Sequence, residues 1–144
     1  MRTVMRRAGF TLIEIMVVVV ILGILAALVM PRILDRPEEA RRTKAAMDIK
    51  SIETALNLYK IDNGVYPSME QGLNALVEKP AIGGIPRAWR EGGYLPRVPK
   101  DPWEGGYVYL IPGEHGPFDL SSLGPDAAPG GEGNGADINS WELD

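Results

Sequence analysis

Hydrophobic positions change their spacing along this chain. Residues 15–30 are sixteen uncharged residues in a row, and residues 10–30 hold one charge, Glu14. As a helix, 21 residues span about 30 Å, the thickness of bilayer hydrocarbon. Between residues 38 and 59 the pattern turns amphipathic. Ala45, Ile49, Ile52, Leu56 and Tyr59 recur at intervals of 4, 3, 4 and 3, which puts them on one helical face. Arg41, Arg42, Lys44, Asp48, Lys50 and Glu53 lie mostly elsewhere. The seam is too short to favour a coiled coil, so the face is expected to pack on a small domain. Pro31 lacks an N–H, which predicts a kink or local unwinding near residues 27–31, and Gly23 weakens the helix upstream. Pro37, Glu38 and Glu39 suit a first helical turn. Asp62, Asn63 and Gly64 predict the stop.

Beyond the stop, Ser68 and Gln71 have the spacing of a capping box, and Leu73, Leu76 and Val77 would bury one side of a short helix. After Lys79 the composition shifts, with nine of the 12 prolines and thirteen of the 17 glycines. Residues 107–111 and 118–123 look like strands, joined by a hairpin loop at 112–117. Residues 94–99 suggest a short edge strand. Trp89, Trp103, Trp141, Tyr94, Tyr107, Tyr109 and Phe118 are enough to nucleate a small core there.

Charge and composition narrow the function. Cysteine is absent, which excludes disulfides, thiolate metal sites and cysteine nucleophiles, and His115 is the single histidine. The last 44 residues carry nine acids and no Lys or Arg, which opposes nucleic-acid binding there. An anchored hydrolase would have to use His115 with Ser121, Ser122 and Asp119; a surface-loop histidine accounts for the same residues. Residues 1–9 form a basic leader with Arg2, Arg6 and Arg7, and such a flank stays cytoplasmic. The apolar run is too long for a secretory signal core and ends in a poor cleavage site. It is also too continuous for a buried core helix. Glu14 argues against a plain anchor, because an acid inside a span costs about 2.5 to 3.5 kcal/mol at its centre and calls for a partner. The run offers no Lys or Arg, so an α-amino group created by nearby cleavage is the available cation.

Gly9-Phe10-Thr11-Leu12-Ile13-Glu14, behind that leader and before a full-length span, resembles the class III signal of type IV pilins and pseudopilins. The resemblance implies cleavage between Gly9 and Phe10 by a prepilin peptidase and N-methylation of the Phe10 amine. It implies that Glu14 meets the terminal amine of a neighbouring subunit during filament assembly. It also implies one long, bent helix through Pro31 rather than two.

The most chemical segment is the loop at 123–137. It offers oxygen donors from Asp126, Glu132, Asn134 and Asp137, backbone carbonyls, and five glycines. Hard oxygen ligands without His or Cys suit calcium; a solvated acidic loop fits the composition equally well. The EF-hand pattern fails, since its third and fifth positions would be Ala128 and Gly130. A single glycine-rich β-helix repeat cannot stack. Asp101-Pro102-Trp103, residues 116–120, Ser122-Leu123-Gly124 and residues 136–141 resemble the major pseudopilins of type II secretion systems. That resemblance implies one calcium in the loop, held by Asp126, Asp137 and the Leu123 carbonyl. Gly133-Asn134-Gly135 departs from the family's aspartates, so Glu132 or Asn134 would supply the middle ligand.

Together these readings predict an α+β, pilin-like fold. A leader (1–9) and a transmembrane and assembly helix (10–30) precede an amphipathic continuation (31–62). A globular domain (63–144) follows, with a short helix, a small antiparallel sheet and the calcium-type loop. The implied protein is a non-enzymatic subunit, anchored by a single pass in a bacterial inner membrane with its domain in the periplasm. It would polymerise with itself into a periplasmic pseudopilus that helps folded proteins cross the outer membrane. Implied partners are the prepilin peptidase, minor pseudopilins, the inner-membrane assembly platform and the lipid bilayer. A type IV pilus major subunit, a minor pseudopilin and an anchored monomeric calcium-binding module are the alternatives.

Overall fold

The structure, a computed structural model, describes residues 9–143, apart from the side chains of residues 29–36. The leader expected over residues 1–9 lies, apart from Gly9, outside the described residues; the backbone over 27–31 is continuously helical, so the local unwinding expected there is not seen. The chain divides into two compact units, Met1–Pro37 and Glu38–Asp144.

One α-helix, α1 (Leu12–Asn63), carries both sequence periodicities. Among the described residues, no helix is long and apolar enough to cross a membrane. The run read over residues 10–30 extends into those whose side chains are not described. Within the second unit, the predicted face of α1 is the core: Ala45, Ile49, Ile52, Leu56 and Tyr59 are all at most 1% exposed. The helix ends as the residues require. Gly64 takes φ 81° and returns its N–H to the Lys60 carbonyl at 2.7 Å, a left-handed closure that spares glycine the usual Cβ clash.

Packed on this face is a three-stranded antiparallel sheet in the order β1 (Val108–Leu110), β2 (Asp119–Ser122) and β3 (Ile138–Asn139). Tyr109 pairs with Leu120, and Ser122 with Ile138. The first two strands and their connecting loop match the expected hairpin. The third strand carries no sequence signal, since two residues are too few to show alternation.

Two expectations need correction. Residues 94–99 form no strand. Pro96 and Pro99 lack ladder donors, and the N–H groups of Tyr94 and Leu95 both donate to the Leu76 carbonyl, at 2.7 and 3.0 Å. The segment is a strap held by side chains: Trp89 Nε1 donates to the Ala75 carbonyl (2.9 Å) and the Tyr94 hydroxyl to Asp62 Oδ2 (3.1 Å). The expected short helix is present as a single 3₁₀ turn, Leu73–Leu76. Its capping box does form: Ser68 N–H donates to Gln71 Oε1 (3.0 Å) and Gln71 N–H to Ser68 Oγ (3.3 Å). Gly72, at φ 59°, then leaves the helical region at once, so the box caps a turn that cannot propagate. Leu73 and Leu76 are buried as expected, while Val77 is only half-buried.

Aromatic hydroxyls tie the layers together. Tyr107 donates to Asp48 Oδ2 on α1 (2.9 Å) and Tyr109 to the Pro67 carbonyl (2.8 Å). Burial pushes both phenols well above their usual range, and the neighbouring Asp48 carboxylate adds to the effect at Tyr107.

Candidate functional site

Apart from Glu14, the amino-terminal end of α1 is apolar on all sides. Phe10, Leu12, Ile13 and Val19 are 80, 81, 71 and 62% exposed. An unbroken apolar collar of this kind has to be covered by lipid or by other protein. Thr11 starts the helix: its Oγ1 accepts the Glu14 N–H at 3.3 Å. This is half of a capping box, with Glu14 three residues after the cap. The Thr-x-x-Glu spacing was there to be read. It assigns Thr11 a local task and leaves the exposed Glu14 carboxylate available outward.

The acidic loop folds into two 3₁₀ turns, Gly124–Asp126 and Gly133–Gly135, which pack against each other. Gly131 is required for this closeness. At φ 94°, an added Cβ would stand 2.6 Å from the Gly135 carbonyl oxygen. Asp137 closes the loop, its N–H donating to the Gly130 carbonyl (3.2 Å) and its Oδ2 accepting the Gly130 N–H (2.9 Å). Asp137 Oδ1 is buried without a hydrogen-bond partner among the described residues. Such an atom normally finds a donor, a water or an ion. Asp126 Oδ1 accepts the Ala128 N–H (3.1 Å). Its Oδ2 lies 3.7 Å from where a Cβ on Gly135 would stand, so this carboxylate reaches across to the second turn. Leu123 leads into the first turn and is half-buried, while Glu132 and Asn134 are exposed. Among the described residues, no three His, Asp or Glu side chains form a metal-holding group. An ion here would therefore need backbone carbonyls beside Asp126 and Asp137. The all-oxygen donor set and the orphaned Asp137 Oδ1 fit calcium on those terms.

A further residue joins this loop. Arg42, on α1, donates from Nη1 to the carbonyls of Ala136 (2.6 Å) and Asn134 (3.5 Å), and from Nη2 to that of Asp137 (3.5 Å). In sequence, Arg42 is one charge among several on the polar side of the helix.

His115 does not form a catalytic set with the serines. Its Nδ1 lies 3.0 Å from Asp119 Oδ2, and its ring stacks on Trp141 at 3.8 Å and 5°. Ser122 Oγ instead donates to Asp101 Oδ2 (2.8 Å). Asp119 is 4% exposed and also accepts the backbone N–H groups of Glu114 and His115. Burial alone would raise its carboxyl, but the bond to the His115 ring and the two backbone bonds outweigh it and hold the carboxyl below its usual value. A depressed folded pKa contributes stability above the unfolded value, about 3.9, and that contribution is lost as pH falls through the folded value. Asp119→Asn is expected to cost about 1.5 to 3 kcal/mol near neutral pH. The gap from wild type should shrink below about pH 4. Urea titrations between pH 3 and 7 check this, and a gap independent of pH would contradict it.

Residues 32–141 match the family model described as type II secretion system (T2SS), protein G, and residues 4–30 the prokaryotic N-terminal methylation motif. The chain is 57% identical over 137 residues to type II secretion system core protein G of Pseudomonas aeruginosa, covering 95% of this chain and 96% of that one. It is 53% identical over 143 residues to the Vibrio cholerae protein of the same description, covering 99 and 97%. The crystal structure of the major pseudopilin from the type 2 secretion system of enterohaemorrhagic Escherichia coli superposes with a TM-score of 0.67 at 41% identity. That match covers 76% of this chain and 93% of the other.

Proposed function

This chain belongs to the type II secretion system protein G family, and from that premise we propose how its two ends serve the filament. It is a structural pseudopilin with a pilin-like fold, not an enzyme. The prepilin peptidase cleaves between Gly9 and Phe10, and the new Phe10 amine is methylated. The apolar end of α1 holds the subunit in the inner membrane, its domain in the periplasm. With minor pseudopilins and the assembly platform, subunits then leave the bilayer and exchange lipid for one another. The growing filament helps folded proteins cross the outer membrane. The observation that carries this is the collar of exposed apolar side chains around Phe10, Leu12 and Ile13, which demands a cover at every stage. Within it, Glu14 takes the Phe10 amine of a neighbour, which relieves a carboxylate that lipid leaves unpaired.

At the other end, Asp126, Asp137 and the Leu123 carbonyl hold one calcium, with Glu132 or Asn134 completing the set. The orphaned Asp137 Oδ1 supports this assignment. A bound cation cancels the carboxylate repulsion and offsets the entropy a glycine-rich loop loses on ordering. Asp126 and Asp137 thereby tie a folded subunit to a calcium-rich compartment. Thermal unfolding of the full chain in detergent tests this. At calcium a hundredfold above its dissociation constant, the Tm should exceed that in excess chelator by about 10 °C. Asp126→Ala and Asp137→Ala should each abolish most of the rise. Equal melting in calcium and chelator would make the loop a solvated acidic one.

A further inference from the structure

We propose that Arg42 positions the calcium-type loop and passes its ion occupancy to α1; this rests on the calcium reading above. Among the described residues, the backbone-to-backbone hydrogen bonds of the second half of the loop are otherwise internal: Gly135 to Glu132, Ala136 to Gly133 and Asp137 to Gly130. Arg42 comes from a helix more than ninety residues away and holds the carbonyls of Asn134, Ala136 and Asp137 with one planar fork.

Two consequences follow from that fork. The three carbonyls it occupies face a guanidinium, so the ion's ligands are drawn from the remaining oxygens: the Asp137 and Asp126 carboxylates, the Leu123 carbonyl and the side chain of Glu132 or Asn134. The contact also orders the second half of the loop on folding, in the absence of the ion. Each glycine-rich residue left loose would have to be ordered by the ion itself, at about 1 to 2 kcal/mol per residue. This preorganisation acts against the repulsion between guanidinium and cation. The repulsion is blunted because Arg42 reaches the loop through carbonyl oxygens. Coupling between two positions is reciprocal, so an ion that rigidifies Asp137 also rigidifies the α1 turn bearing Arg42. That turn is anchored in turn by Glu38, which pairs with Arg41 and accepts the Trp103 indole N–H (3.1 Å). The guanidinium meets these carbonyls from two nitrogens in a fixed plane, a geometry that lysine's single ammonium nitrogen does not reproduce.

The test uses the full chain in detergent micelles, titrated with calcium by calorimetry and followed by hydrogen exchange. Arg42→Ala is expected to weaken calcium binding about tenfold or more, with Arg42→Lys in between. In the wild type, calcium should slow exchange at residues 38–46 as well as at 130–137; in Arg42→Ala the effect on 38–46 should vanish. Should Arg42→Ala fail to fold, Arg42→Lys carries the same comparison. Binding within twofold of wild type in these variants, or wild-type exchange at 38–46 indifferent to calcium, overturns the proposal. A wild type that takes up no calcium overturns the calcium reading as well, and is recognised before any substitution is made.

Discussion

Glu14→Ala protein is expected to stay in the membrane but to polymerise much more weakly than the wild type. The substitution makes the collar around Phe10 more apolar, so insertion is not weakened. It removes the one carboxylate of that segment, and with it the charge-assisted bond proposed to a neighbour's amine. Such bonds contribute about 1.5 to 3 kcal/mol. At 1.4 kcal/mol per factor of ten, the concentration needed for filaments should rise about ten- to a hundredfold. The local fold is spared, because Thr11 Oγ1 accepts the backbone N–H of residue 14, which alanine keeps. Glu14→Gln, isosteric and uncharged, separates charge from shape. Sedimentation of filaments from cells expressing each variant, beside membrane fractionation of the subunit, reads both quantities. Wild-type filament yield from Glu14→Ala would end the assignment.

Asp101→Ala is expected to destabilise the second unit by at least about 3 kcal/mol, a large part of the 5 to 15 kcal/mol typical of a domain. Asp101 is 5% exposed and its carboxylate accepts three donors: the N–H of Trp103 (3.1 Å), the N–H of Gly105 (2.6 Å) and the Ser122 hydroxyl (2.8 Å). Alanine leaves all three without their acceptor, and each buried orphan costs about 1 to 3 kcal/mol. The same carboxylate joins the turn at residues 101–105 to β2, so the loss is also topological. Glu104 sits in this turn at φ 67°, a left-handed conformation that a non-glycine residue holds only when its surroundings enforce it. Asp101→Asn should cost less, since one oxygen remains an acceptor. Urea unfolding of both variants decides, and a loss below about 1 kcal/mol for Asp101→Ala would show that the turn holds without it.

The parts of this architecture legible in the sequence share a physical cause, which is that they are local. The buried face of α1 follows from a 3.6-residue period carried by neighbouring positions, and all five expected residues lie in the core. The hairpin at β1 and β2 follows from β-branched and aromatic residues flanking a Gly and Pro loop. The stop at Gly64 follows from the one residue type that takes a left-handed conformation freely. Local signals mislead where a neighbour overrules them. The capping box at Ser68 forms both its bonds, yet Gly72 ends the turn before a helix grows. The run at 94–99 has strand-like residues, but its prolines and the bonds to Leu76 make it a strap.

The sequence by itself determined that this chain carries a membrane-length apolar run with one acid, a helix with one buried face, and a glycine-rich acidic loop. These are statements about periodicity, length and charge, which a linear chain encodes directly. Only the tertiary structure decided which distant groups meet. Arg42 lies against the carbonyls of residues 134–137, Ser122 against Asp101, and Trp141 against His115. It also left one oxygen of Asp137 buried without a partner among the described residues. No local pattern predicts such pairings, because each depends on the sheet and α1 closing around a common core. Burial then sets which polar groups must find one another.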